Sequence, residues 1–576
     1  MYKQKREKFK RRTVVDEIKA ILQQYPDDGQ IFKEIIQNAE DARASEIVFV
    51  FDKNVDQDAD LHFSEEKLRR YQIPSLYAYN NASFTPADWD GVISLGISGK
   101  TKQALKVGRF GLGFKSVFHL TDLPCVASDS TFAYLDPMKE TFKEEVEVLD
   151  FDEPTDSDAD FHDFKSFQRL GEKFWRNENG VEGTLFRLPL RLKASNLSSV
   201  IYDEERINAL LERFKEEAHT TMIFLKHVKS IKIYTIENGS TVMKEVYSAK
   251  LTEHSQEYQS LKVDFVEQIN RLVDEEQDFA TIKQLRHFLE IEVESLDEDE
   301  EEEEQIYEYA VCERYGYEGT NEDFISLMYD EELSYVPLVA IAYPINQDLD
   351  EGGHVFCTLP LPLHCRKMTG MPVHVNGFFA LGQDRKDLKW KSLSTQGSSN
   401  DKTVNWNVYL LTELIPIVYS DLFDFLKTLE IEIDVLYKAW PDQNEIDSKW
   451  RPILDLFHAL MREKDFIYVG FQDTWYKTQN VRFIKTDEMT GDELSAVEEL
   501  LVSTNIPFAI APQAITDRLP CHWINSYEVN RLIIGYSIFI RLPMGTRCNI
   551  LSYSVKNEDD LKLLINQKIF PISNGN

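Results

Sequence analysis

The segment Glu34-Ile35-Ile36-Gln37-Asn38-Ala39-Glu40-Asp41-Ala42 sets a carboxylate and a carboxamide four residues apart. On a helix such a pair shares one face. A carboxylate at Glu34 can orient and deprotonate a water, and the side-chain oxygen of Asn38 can ligate Mg²⁺. Asp41 extends the same polar face. Alone, this spacing is also what an ordinary solvated helix face carries. A second stretch, Val107-Gly108-Arg109-Phe110-Gly111-Leu112-Gly113-Phe114-Lys115-Ser116, packs three glycines ahead of a helix. Gly108, Gly111 and Gly113 let the backbone approach an anion, and the helix start adds N–H groups and the positive dipole end. The order G-x-x-G-x-G is not the dinucleotide fingerprint. Ser98-Gly99-Lys100-Thr101 ends like a P-loop, but Ser94 stands where the first glycine is required and the segment follows a helix, which excludes that motif. Lys100 remains a flexible cation able to reach a phosphate. Gly183-Thr184 opens an apolar strand.

These residues need a scaffold. Val14, Ile18, Ile21 and Leu22 recur at helical spacing over 14–24, and Ile31, Phe32, Ile35, Ile36 and Ala39 do so over 30–43. Ile47–Phe51 and Leu76–Tyr79 read as buried strands. Thr85-Pro86 opens a further helix, and Leu112–Leu120 another. Strands follow at 123–128, 131–135 and 184–188, with an acidic, insertion-like stretch between the last two. The mixture predicts an α+β sandwich, a mixed sheet with helices on one face. A long helix from Glu204 to His219 precedes a hairpin around Glu237-Asn238-Gly239-Ser240. The eight consecutive acids 297–304 read as a solvated loop or linker. We expect three regions, at 1–200, 201–440 and 441–576.

The chain has 576 residues with 64 Lys plus Arg against 99 Asp plus Glu, a formal charge of −35. Such a field repels nucleic acid and anionic lipid, so neither is an expected partner. No run of about 20 apolar residues is present, which argues against a membrane span. Six scattered cysteines, none in a CxxC pair, fit a reducing cytoplasm.

Taken in order, the three motifs resemble the GHKL ATPase superfamily of gyrase, the heat-shock-ninety chaperones, histidine kinases and MutL-like proteins. Within it, QIFKEIIQNAEDARASEI, LYAYNNASFTPADW, VGRFGLGFKSVFHLTDLPC, GTLFRLPLR and VHVNGFFALGQDRKDLKW are similar to the repeats of sacsin. The likeness runs over nearly the whole chain. It implies an N-terminal nucleotide-binding domain using ATP and Mg²⁺, with Glu34 as general base and Asn38 as metal ligand. Asp41, Ala42, Lys100, Gly108, Gly111, Gly113, Phe114 and Thr184 would line the nucleotide. Arg385, in the transducer-like region, would reach the γ-phosphate. One departure stands out: where the family has D-x-G-x-G to read adenine, this chain has Tyr79-Asn80-Asn81-Ala82-Ser83. Asn80 or Asn81 is left as a neutral acceptor, weaker than a carboxylate by about 1 kcal/mol. The resemblance implies a chaperone-like module acting on protein clients or co-chaperones, with slow ATP hydrolysis and self-association as further expectations. A non-hydrolysing scaffold of the same fold is the alternative. The ending IFPISNGN resembles the start of a continuing motif, so a larger parent protein is expected, with residues 560–576 packed onto the C-terminal region.

Overall fold

Thr13 and Asp16 cap each other across the first turn of a helix, the threonine hydroxyl taking the Asp16 N–H at 3.1 Å and the carboxylate taking the Thr13 N–H at 3.1 Å. That helix, α1 (Val14–Gln24), begins the part of the chain described by the computed structural model, which covers residues 13–24, 30–93, 114–151, 162–176, 180–296, 303–333, 335–349, 352–361, 369–382, 387–390, 401–557, 560–565, 567 and 569. The chain divides into two compact units, one of Met1–Asp348, His354–Arg366 and Val375–Asn407, the other of Leu349–Gly353, Lys367–His374 and Val408–Asn576.

The first unit is organised by one sheet. Its strands in chain order are β1 (Glu46–Asp52), β2 (Ser75–Asn80), β3 (Cys125–Asp129), β4 (Thr131–Leu135), β5 (Val146–Asp150), β6 (Val181–Pro189), β7 (Ser230–Ile236), β8 (Met243–Leu251), β9 (Lys283–Ser295), β10 (Glu303–Tyr315), β11 (Leu338–Pro344), β12 (Val355–Cys357), β13 (Leu359–Pro360) and β14 (His374–Gly377). Across the sheet they run β13-β12-β14-β11-β10-β9-β8-β7-β1-β2-β6-β3-β4-β5. β1 lies parallel to β7 and antiparallel to β2, so the sheet is mixed. The unbroken apolar run in β1 follows from burial on both faces. Ile47, Phe49 and Phe51 enter one core, Val48 and Val50 the other.

Alpha helices cover one face, as the pattern predicts. α2 (Gln30–Asp41) buries Ile31, Phe32, Ile35, Ile36 and Ala39 there. After the peripheral α3 (Pro86–Ile93), α4 (Glu204–Met222) adds Ile207, Leu210, Leu211, Phe214 and Ala218. Phe32, Phe49 and Phe214 interlock with ring centroids 4.8 to 5.6 Å apart, pinning α2 and α4 onto β1. Lys33 and Glu217 add a buried ion pair of 2.7 Å between the same helices. The opposite face carries 3₁₀ turns, Glu66–Tyr71 and Lys165–Leu170, and a layer of rings including Tyr77, Phe132, Phe164, Phe167 and Trp175. The acidic insertion-like stretch thus supplies both β5 and part of this layer.

Three local readings change. Leu112–Leu120 was expected as a helix, and its described part is a 3₁₀ helix, Phe114–His119. The Arg191 guanidinium binds the carbonyls of Phe118, His119 and Thr121 at 2.6 to 2.9 Å and so closes that helix tightly. The acidic run does not end as a loop: Glu303 and Glu304 already pair in β10, opposite Ser295 and Glu294 of β9, while 297–302 lie outside the described residues. The long helix α5 (Glu253–Arg271) and the β9–β10 hairpin, whose strands run 13 residues each, were not foreseen. The hairpin at Glu237–Ser240 does form, with Gly239 at φ +80°, and Asn54 reaches in to bind Glu237 O, Ser240 O and the Gly239 N–H.

After α6 (Glu322–Met328) and α7 (Lys402–Tyr409), the second unit packs α8 (Ile415–Leu426), α9 (Ile433–Lys438) and α10 (Ile453–Glu463) around Tyr419, Phe423, Trp440, Phe457 and Phe466. A hairpin, β15 (Ile467–Val469) with β16 (Thr474–Tyr476), follows. A parallel sheet of β17 (Arg482–Ile484), β18 (Phe508–Ala509) and β19 (His522–Ile524) comes next. It is accompanied by α11 (Gly491–Ser503), the short α12 (Gln513–Thr516), α13 (Ser526–Gly535) and α14 (Met544–Ser554). Leu564 and Ile569 pack against the core formed with α11, α13 and α14, as the expectation for residues 560–576 requires; 570–576 lie outside the described residues.

Candidate functional site

The turn from α2 into β1 is fastened to the end of β2. The Asn81 side-chain oxygen accepts the Ser45 and Glu46 N–H groups at 2.8 and 3.1 Å, and its amide donates to the Ser45 hydroxyl at 2.8 Å. The polar end of α2 therefore sits at the rim where β1 begins and β2 ends. At that rim Asn80 of β2 pairs with Thr184 of β6, and Thr184 with Ser128 of β3. Side chains alternate along strands. Leu76 and Ala78, Phe186 and Leu188, and Val126 all enter the helix-side core, so Asn80, Thr184 and Ser128 form one polar row on that same face.

The row is wired together. The Thr184 hydroxyl donates to Ala82 O at 2.7 Å and lies 3.1 Å from the Ser128 hydroxyl. Ser128 donates to Gly183 O at 2.8 Å and accepts the Phe84 N–H at 2.8 Å. Asn80 accepts the Ala82 N–H at 3.1 Å, and the Ser83 hydroxyl donates to Asp129 at 2.6 Å. Gly183 is at φ +109°, and a Cβ there would stand 2.4 Å from the Asn80 carbonyl oxygen. Only glycine allows this approach of β6 to β2. One step inward, Phe186 receives Phe114 at 5.5 Å and Phe84 at 6.1 Å between ring centroids.

Along α2, Glu34 is buried at 8% exposure, Asn38 is half-buried, Asp41 is half-buried in the last turn, and Ala42 is exposed just after it. Glu34 lies about 10 Å up the helix axis from Asp41. The structure thus brings Asn38, Asp41 and Ala42 to the helix end fastened at the rim that holds Asn80, Asn81 and Thr184, with Phe114 one row inward. Lys100, Gly108, Gly111, Gly113 and Arg385 lie outside the described residues.

Two functional supports escaped the sequence reading. Glu40, 1% exposed, takes three backbone N–H groups, from Lys226, His227 and Val228, at 2.8 to 3.1 Å. A carboxylate on the apolar Ile36–Ala39 side of α2 is the signal that announces such partners. Lys115, 3% exposed and directly after the glycine-rich segment, has its ammonium 3.3 Å from Glu17 of α1. Among the described residues no set of three His, Cys, Asp or Glu is arranged to hold a metal, and no helix is long and apolar enough to cross a membrane. Cys125, Cys521 and Cys548 are free thiols.

The fold is an α+β sandwich of a mixed sheet with α-helices on one face. Residues 11–248 match the family model of the Sacsin domain. The chain is 34% identical to human Sacsin over 504 residues, 82% of its own length and 11% of that protein's, so it spans about a tenth of this relative. Among solved structures, it overlaps the N-terminal domain of a DNA repair protein over 65% of this chain and 92% of the other, at 11% identity and a TM-score of 0.30. The B-subunit of DNA gyrase from Myxococcus xanthus is overlapped over 62% and 84%, at 11% identity and a TM-score of 0.26.

Proposed function

We propose that the first unit is a nucleotide-binding, chaperone-like module that works in the cytosol. The observation that carries this reading is the polar row Asn80–Thr184–Ser128, set on the helix-covered face at the rim where the polar end of α2 arrives. In this reading Asn80 would meet an adenine edge, with Thr184 and Ser128 buried behind it as support. Asn80 Oδ1 already accepts one N–H and has a second lone pair for an exocyclic amine. Phe114, tilted at 44° against Phe186, offers an apolar wall. Gly108, Gly111 and Gly113 would hold phosphates on backbone N–H groups, with Lys100 as a point charge and Arg385 as a cation toward the γ-phosphate. Mg²⁺ is held mostly by phosphate oxygens and water, so a single protein oxygen from Asn38 suffices. When bound, the metal would neutralise charge on the phosphates. Glu34, within the packed part of α2, would hold a water and take its proton. Asp41 and Ala42 would border the base. Binding of ATP or ADP would bias surfaces used by protein clients, co-chaperones or a second copy.

A second reading, a scaffold that keeps the fold without hydrolysis, is favoured by a specific observation. The Asn81 oxygen already carries two backbone N–H groups and its amide is spent on Ser45, so Asn81 serves the fold. Calorimetric titration of the chain with ATP and with ADP, with and without Mg²⁺, separates the two. Metal-dependent heat with ATP is expected; none with either nucleotide leaves the scaffold reading. If hydrolysis is measurable, Glu34→Ala abolishes it and keeps binding, whereas Asn38→Ala weakens the Mg²⁺-dependent part of binding.

A further inference from the structure

In the second unit, four exposed apolar side chains fall on α13 and the turn directly after it. Tyr527 and Ile534 stand seven residues apart on α13, on one face, and are 44% and 41% exposed. Arg531 lies between them on that face, 3.8 Å from Glu528. The opposite side of α13 is spent on the core through Val529, Leu532 and Ile533. Directly after the helix, Tyr536 N–H bonds back to Leu532 O, and a 3₁₀ turn buries Phe539. This leaves Tyr536 at 46% and Ile540 at 62% exposure at the same helix end, with Arg541 beside them. Arg541 makes no ion pair among the described residues. From Tyr527 to Arg547 the charged residues are Arg531, Arg541 and Arg547 against Glu528, a cationic segment in a chain of formal charge −35.

Scattered exposed apolar residues need no explanation, but a grouped set rimmed by charge of one sign marks a contact surface. Tyr527 and Ile534, at i and i+7 with Arg531 between them, match a second helix laid along this face. Arg541, and Arg531 with its long, exposed contact to Glu528, select the sign of that partner's flanks. We infer that the exposed side of α13 and the turn after it dock an acidic, amphipathic helix of a partner protein. Its apolar stripe would cover Tyr527, Ile534 and Ile540, and its carboxylates would meet Arg531 and Arg541.

The probe is a synthetic helical peptide of about 18 residues, with leucine at i, i+3 or i+4, and i+7 and glutamate on its flanks. Its counterpart has lysine in place of glutamate. Fluorescence anisotropy with the full chain is expected to show the acidic peptide bound, and more weakly as salt is raised. Ile540→Asp and Arg541→Glu should each weaken that binding about tenfold or more, while Val242→Asp, on an exposed residue of the other unit, should not. Circular dichroism and thermal melts shared with the parent chain establish that each variant is folded. Failure of the acidic peptide to bind, equal binding of the lysine peptide, or unchanged binding in folded Ile540→Asp and Arg541→Glu overturns the inference. So does a concentration-dependent dimer abolished by Ile540→Asp, which would make a second copy the occupant.

Discussion

The two faces of the sheet in the first unit handle buried polarity in different ways. On the ring-lined face, polar groups lie deep and are closed off. Arg187, fully buried, donates to Tyr77 Oη at 3.1 Å and Tyr71 O at 2.7 Å and lies over the Phe167 ring. Arg169 holds Asp52, 1% exposed, at 2.6 Å and Asp56 at 2.6 Å. The Cys125 thiol there is pushed up to about 12 by burial, so it is no nucleophile. On the helix-covered face a few enclosed charges, such as Glu40 and the Lys33–Glu217 pair, lie among apolar side chains, and hydroxyl and amide groups also gather at the rim, where strand ends and a helix end meet. The difference teaches where a ligand can be met: a group enclosed by partners on all sides is architecture, and a half-buried polar group at the edge, such as Asn38, is available.

The largest effect should come from breaking the enclosed face. Arg169→Ala strands Asp52 in the interior and is expected to lower stability by about 3–5 kcal/mol in urea titration. Adding Asp52→Asn should recover part of that loss; no recovery would mean the ring packing, rather than the charge, is what Arg169 supports. Glu40→Ala tests the helix-covered face, since it removes the acceptor of three N–H groups, that of Val228 buried and those of Lys226 and His227 part-buried. A loss of about 3 kcal/mol is expected, with Glu40→Gln costing less because one oxygen remains. Asn81→Ala should cost about 1 kcal/mol, and Asn81→Asp, which retains an acceptor, much less. Asn38→Ala, at the available rim, should change stability by less than about 0.5 kcal/mol. If instead Asn38→Ala destabilises as much as Glu40→Ala, the division between enclosed and available groups on α2 is wrong.

A pH series sharpens the same comparison farther along the helix-covered face. His287 of β9 lies under α5, where burial first and the nearby Lys262 ammonium second push its imidazole down to about 3. Its folded value is below the ordinary 6.5, so the unfolded chain binds the extra proton between those two values. The stabilising contribution is complete above about pH 6.5 and is lost progressively as pH falls toward 3. Lys262 itself meets Glu313 of β10 at 3.1 Å, both side chains being 5% exposed. Urea midpoints measured against pH should therefore fall less steeply between pH 6 and 4 in His287→Leu than in the parent chain, by about one proton's worth of slope. Identical slopes would place the acid sensitivity elsewhere, with His219 and His458, both pushed down to about 4 by burial, as the next residues to vary.

The elements around the candidate site were legible because their cause is local. Apolar spacing places Ile31, Phe32, Ile35 and Ile36 on the inner face of a helix whatever the rest of the chain does. The Asn238-Gly239 turn and the run Ile47–Phe51 carry their own backbone preferences. The same is true of Gly183-Thr184 as a strand opening. What failed to show was long-range or ambiguous in period. The strands 283–295 and 303–315 mix charge with apolar residues, and each is stabilised by pairing with the other, at a register that composition does not encode. The 3₁₀ helix after Phe114 ends on carbonyls held by Arg191, a partner far along the chain that local spacing does not announce.

The amino-acid sequence by itself determined the helix that carries Glu34, Asn38 and Asp41, the apolar strands on which it rests, and the glycine at 183 that lets two backbones meet. Tertiary structure alone decided which polar residues belong together. Asn80, Thr184 and Ser128 come from three separate segments and become neighbours only through the antiparallel register of β2, β6 and β3. Asn80 and Asn81 are identical in type and adjacent in sequence, yet successive strand side chains point to opposite faces. The fold places Asn80 in the polar row and spends Asn81 on the turn that brings α2 to it.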